Sequence, residues 1–74
     1  MEYKVVTWTE NGFSEGEEET DFTDDLGIAL SWLMRDDCRY GTIYYNREVV
    51  ATKDDWNYPI EYHNGWTSVG KRGE

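Results

Sequence analysis

The apolar positions from Tyr3 to Thr9, YKVVTWT, are β-branched or aromatic, and the run predicts a strand. Asn11-Gly12 follows. This pair is the strongest short hairpin signal, because a two-residue type I′ turn needs φ > 0 at both central positions. The returning strand would start at Phe13. It would carry Glu15, Glu17 and Glu19 on one side and Gly16 and Glu18 on the other. Acidic side chains are poor strand formers, so this second strand is expected to be weak, short and at a sheet edge.

The period changes over residues 23–37. Leu26, Ala29, Leu30 and Leu33 recur at i, i+3, i+4 and i+7, one apolar stripe of an amphipathic helix. Thr23 or Asp24 suits its N-cap, and Asp24 and Asp25 suit the positive end of its dipole. Arg35 and Arg39 suit the other end, and Gly41 reads as a stop. Ile28 and Trp32 lie off the stripe as an i, i+4 pair, so they touch each other. Such a pair is either covered by a second layer or exposed as an aromatic anchor for a partner, with Trp32 as the residue that would be buried on binding.

In TIYYNREVVAT, residues 42–52, Asn46-Arg47 lies between two β-rich runs and predicts a two-residue hairpin turn. Either Ile43/Val50 or Tyr44/Val49 faces the core. KDDWNYP is a connection in which Asp54 or Asp55 caps a single helical turn. Pro59 flanks an edge strand. IEYHNGWTSV, residues 60–69, predicts a hairpin about Asn64-Gly65. Ile60, Tyr62, Thr67 and Val69 would share one face, and Glu61, His63, Trp66 and Ser68 the other. The tail from 70 to 74 is expected to fray. The expected fold is thus α+β, a single compact domain over residues 1–74. It is a small antiparallel sheet of β-hairpins with one amphipathic helix packed on one face, in the order β-β-α-β-β-β-β.

Composition sharpens this picture. Aromatic residues make up 16% of the 74, which suits a thin core filled by large rings. One cysteine, Cys38, permits no intrachain disulfide. No basic leader or long apolar run is visible, so a cytoplasmic protein without a membrane span is expected.

Charge is the more telling quantity. The net charge is −9. Residues 1–25 hold nine acids and one base, a local charge of −8, while residues 26–74 are nearly balanced. A surface of this kind is a poor fit for nucleic acid or anionic membrane, whose binding depends on lysine and arginine. It fits a basic protein.

Catalytic and metal chemistry find little material. His63, the only histidine, could pair with Glu61, but it reads more simply as a turn-flanking residue packed on Trp66. Cys38, Ser31 and Ser68 lack a nucleophile-elbow context. An EF-hand loop starting at Asp21 would need Gly and Glu where Leu26 and Trp32 stand. No cofactor or metal site is expected.

The expected partner-binding residues are therefore Glu15, Glu17, Glu18, Glu19, Asp21, Asp24, Asp25, Ile28 and Trp32. Acidity along the strand would act as a decoy for a nucleic-acid-binding site, with Glu18 and the following aspartates filling the gaps between Glu15, Glu17 and Glu19. In size, acidity and aromatic content the chain resembles, in general style, phage-encoded inhibitors that block host nucleases or CRISPR complexes. The second reading is an assembly module or homo-oligomer that uses Tyr44 and Val49, or Trp66 and His63, while the acids serve solubility.

Overall fold

The computed structural model describes residues 2–12 and 15–72. Seven strands and one helix occur among them: β1 (Tyr3–Thr9), β2 (Glu17–Thr23), α1 (Leu26–Leu33), β3 (Cys38–Tyr45), β4 (Glu48–Lys53), β5 (Glu61–Tyr62), β6 (Trp66–Thr67) and β7 (Gly70–Lys71). The first five strands form an antiparallel sheet in the order β2-β1-β3-β4-β5, and β6 pairs with β7 in a small second sheet. The fold is α+β, in the order the patterning predicts, with β7 as an added strand. Residues 70 and 71 belong to β7 rather than to a frayed tail: Arg72 N donates to Gly65 O at 2.7 Å, and Lys71 pairs with Glu48 at 2.9 Å.

The helix is shorter than its charged flanks suggest. Asp25, not Thr23 or Asp24, is the N-cap: its Oδ1 accepts from Ile28 N at 3.2 Å, and Thr23 Oγ1 accepts from Asp25 N at 3.1 Å. The apolar stripe runs out at Leu33, because the next positions on that face are Asp36 and Asp37. The chain turns there and enters β3 at Cys38, four residues before the expected strand start. Gly41 is consequently a strand residue, not a helix stop. A Cβ on it would lie 2.7 Å from Leu33 Cδ2 and 2.8 Å from Val6 O, so glycine lets the helix lie close on the sheet.

Val5, Ile43, Val50 and Ala51 from the sheet meet Ala29, Leu30 and Leu33 from the helix, with Cys38 and Trp66 completing the core. Ile43 and Val50 thus take the core, while Tyr44 and Val49 stay half-buried. Side-chain alternation puts Lys4, Val6, Trp8, Thr42 and Tyr44 on the opposite, open face, which carries no helix among the described residues.

Two of the three turns depart from expectation. Asn46 (φ 50°) and Arg47 (φ 68°) close β3–β4 as predicted. Asn64 (φ 58°) and Gly65 (φ 82°) also turn the chain, with Trp66 N donating to His63 O at 3.0 Å. The flanking strands nevertheless part, β5 to β4 and β6 to β7. The cause is Trp66, which is only 8% exposed. Its ring sits edge-on to Tyr3 (5.9 Å) and Tyr45 (5.4 Å), and its Nε1 donates to Glu48 Oε1 at 2.7 Å. Trp66 is therefore core, not an outer contact beside His63, and Val69 is fully solvated.

The third turn, Asn11-Gly12, makes no two-residue hairpin. The return strand starts at Glu17, opposite Thr9. Trp8 stacks on Tyr40 at 6.0 Å and covers Gly16, where a Cβ would overlap the indole. The longer loop gives the second strand seven paired residues, as many as β1, so it is not the weak strand expected. Phe13 lies outside the described residues.

Candidate functional site

The β1–β2 register decides where the acids go. Glu17, Glu19 and Asp21 stand opposite Thr9, Thr7 and Val5, on the helix side of the sheet. Glu18, Thr20 and Phe22 stand opposite Trp8, Val6 and Lys4, on the open side. Glu18 therefore cannot fill gaps between Glu17 and Glu19, as the sequence suggests it would. Two other acids do. Glu10 N donates to Asp37 O at 2.9 Å, which ties the end of β1 to the α1–β3 turn. Glu10, Glu15, Glu17, Glu19 and Asp37 then surround one open recess of about 190 Å³, with Thr9 and Asn11 completing its wall. Glu10 and Asp37 were not candidates from sequence, because only the folded chain brings them to the others.

Arginines reach part of this recess. Arg35 lies 3.8 Å from Glu19 and 3.4 Å from Asp37. Arg39 Nη1 donates to both Glu10 oxygens, at 3.2 and 3.3 Å, and its Nε donates to Asp55 Oδ1 at 3.0 Å. Hydrogen bonds from Arg39 to Asp55 and Glu10 push the guanidinium pKa up. The Trp56 N–H, followed by Arg39, holds the Asp55 carboxyl below its usual range. Glu15 and Glu17 have no ion pair among the described residues. Exposed pairs of this kind contribute about 0–1 kcal/mol each.

The remaining candidates lie elsewhere. Asp24 and Asp25 follow the far end of β2, a strand length of roughly 20 Å from Glu17. Asp25 is engaged as a cap. Ile28 is 46% exposed, but Trp32 is half-buried against the core. Trp32 is thus not an exposed anchor, and the acid run divides into a recess end and a helix-start end.

Other chemistry-bearing side chains are held by local contacts. His63 Nε2 shares a 2.8 Å hydrogen bond with Thr52 Oγ1, and its carbonyl accepts from Trp66 N at 3.0 Å. Burial pushes the Cys38 thiol pKa up, against the lowering effect of Lys53. Ser31 Oγ donates to Ile28 O at 2.6 Å. Among the described residues, no three His, Cys, Asp or Glu side chains are grouped to hold a metal ion. No helix among them is long and apolar enough to cross a membrane.

Two exposed apolar areas went unmarked in the sequence. Phe22, 58% exposed, stands on the open face near Lys4, with Trp8 and Tyr40 on the same face. Met34, Trp56, Tyr58 and Tyr62 line a groove of about 460 Å³ beside the end of α1. The groove residues come from loops or element ends, where periodicity carries no information about neighbours. No protein-family model matches the chain, and neither a curated protein nor a solved structure matches it.

Proposed function

We propose that this chain is a small acidic, non-catalytic binding protein of the cytoplasm. It occupies a basic, nucleic-acid-binding surface of a partner protein and inhibits it as a decoy, in the style of phage-encoded anti-defence proteins. The observation that carries this reading is the five-carboxylate recess at the open end of β2, only part of which is met by arginine. Alternate residues on one strand face lie about 6.6 Å apart. Duplex DNA carries about one charge per 3.4 Å of each strand. Glu17 and Glu19 alone supply half that density; Glu15 beside them raises it, while Arg39 and Arg35 offset Glu10 and Asp37. Concentrated charge of this size also steers a basic partner and speeds encounter at low salt.

The test is capture from host lysate on immobilised protein at low and high salt, followed by challenge with duplex DNA and with RNA. Nucleic-acid-binding proteins that are retained at low salt, and released by either nucleic acid, support the reading. Retained proteins that neither salt nor nucleic acid displaces count against it.

A second reading, self-assembly through the open sheet face, draws on Phe22 with Trp8 and Tyr40, and on Tyr44 and Val49 beyond them. Sedimentation discriminates: a stable dimer whose assembly ignores salt favours it, and an inert monomer opposes it.

A further inference from the structure

The two edges of the five-stranded sheet are unlike. β5 is two residues long and offers almost no backbone to a newcomer. β2 is seven residues long, pairs with β1 in unbroken register without a bulge, and contains no proline. Among the described residues, no strand pairs with its outer side. In an antiparallel ladder roughly half of the N–H and C=O groups of such a strand point away from its neighbour. Shortness, proline, lysine and bulges are the usual guards of an exposed edge. β2 has none of them and is guarded only by carboxylates.

Those carboxylates select the occupant. A second copy would pair two-fold about Thr20, placing Glu19 against Asp21 twice, and like charges directly opposite oppose pairing. A basic strand meets the reverse situation. Its side chains alternate with period 2, as do Glu17, Glu19 and Asp21 on the helix side. Lysine or arginine at every second position therefore faces the three acids. The residues between them face Glu18, Thr20 and the exposed ring of Phe22, where β-branched or aromatic side chains fit Thr20 and Phe22 and a threonine hydroxyl suits Glu18.

We infer that β2 is a strand-addition site for an extended basic segment of a partner protein, with Lys or Arg alternating with β-branched or aromatic residues. The inference rests on the binding reading above and specifies its geometry. Main-chain hydrogen bonds hold the segment, and Glu17, Glu19 and Asp21 select its charge pattern and register.

The test uses the full chain and a capped synthetic peptide of alternating lysine and valine or threonine, long enough to span β2. Two further versions carry backbone N-methyl groups, one on the lysines and one on the residues between them. Only one of these sets directs its N–H groups at β2. The unmethylated peptide is expected to bind at low salt and to slow hydrogen exchange at alternate amides of β2. One methylated version is expected to bind roughly tenfold more weakly or worse, and the other nearly as well as the parent. Salt-sensitive binding that treats both methylated peptides alike overturns strand addition while leaving the charge-based reading standing. Failure of every basic peptide to bind at low salt, including one with its lysines grouped, overturns both.

Discussion

Lys53 is 6% exposed and has no carboxylate partner among the described residues. Its Nζ donates to Leu33 O at 2.6 Å and to Cys38 O at 2.7 Å. Leu33 is the last helical residue, so the ammonium sits on the negative end of the helix dipole, the role the sequence suggests for Arg35 and Arg39. Those arginines turn to the acids instead. Lys53→Met keeps the aliphatic stem but leaves two buried carbonyls without their donor. Urea unfolding should show a loss of about 1–3 kcal/mol. Arg47→Met on the exposed β3–β4 turn should change stability by no more than about 0.5 kcal/mol. Equal effects of the two substitutions would contradict this role for Lys53. Nothing local marks Lys53 out, because KDD reads as the start of a connection and the carbonyls it serves lie far away in sequence.

The β6–β7 pair is a small element that meets the main sheet through the Glu48 carboxylate. Glu48 on β4 accepts from Lys71 Nζ at 2.9 Å and from Trp66 Nε1 at 2.7 Å. These bonds, Lys71's first and Trp66's second, hold the Glu48 carboxyl below its ordinary value of 4.5. A carboxylate whose folded value is depressed stabilises fully above the unfolded value, and that contribution is lost as pH falls through the folded one. Acidification below about 4.5 should therefore loosen the β6–β7 clip. A carboxyl NMR titration should give Glu48 a midpoint under 4.5, and Lys71→Met should move it upward. A midpoint at or above 4.5 in the parent protein would show that the clip does not form in solution. Elements governed by local pattern were legible beforehand: the stripe from Leu26 to Leu33, the Asn46-Arg47 turn and the strand at 3–9. The β5–β6 hairpin and the Asn11-Gly12 return were not. Both local turn signals were overridden by rings, Trp66 entering the core and Trp8 lying over Gly16.

At the scale of the whole molecule, the acidity concentrated before residue 26 becomes a position. Folding sends Glu18 to the open face, leaves Asp24 and Asp25 at the helix start, and gathers Glu15, Glu17 and Glu19 with Glu10 and Asp37 at one end of the sheet edge. The acid run was legible as a candidate surface, but its partition was not, since a shift of one residue in register would exchange the two faces. On the proposed function, this edge works by charge on a basic partner. The most direct measurement is the association rate of a captured partner with the parent protein and with the Glu17→Lys, Glu18→Lys, Glu19→Lys triple variant, across a salt series. An on-rate that falls steeply with salt is expected for the parent, and the variant is expected to associate at least roughly tenfold more slowly at low salt with a nearly flat salt dependence. Equal on-rates for the two proteins, indifferent to salt, would contradict it.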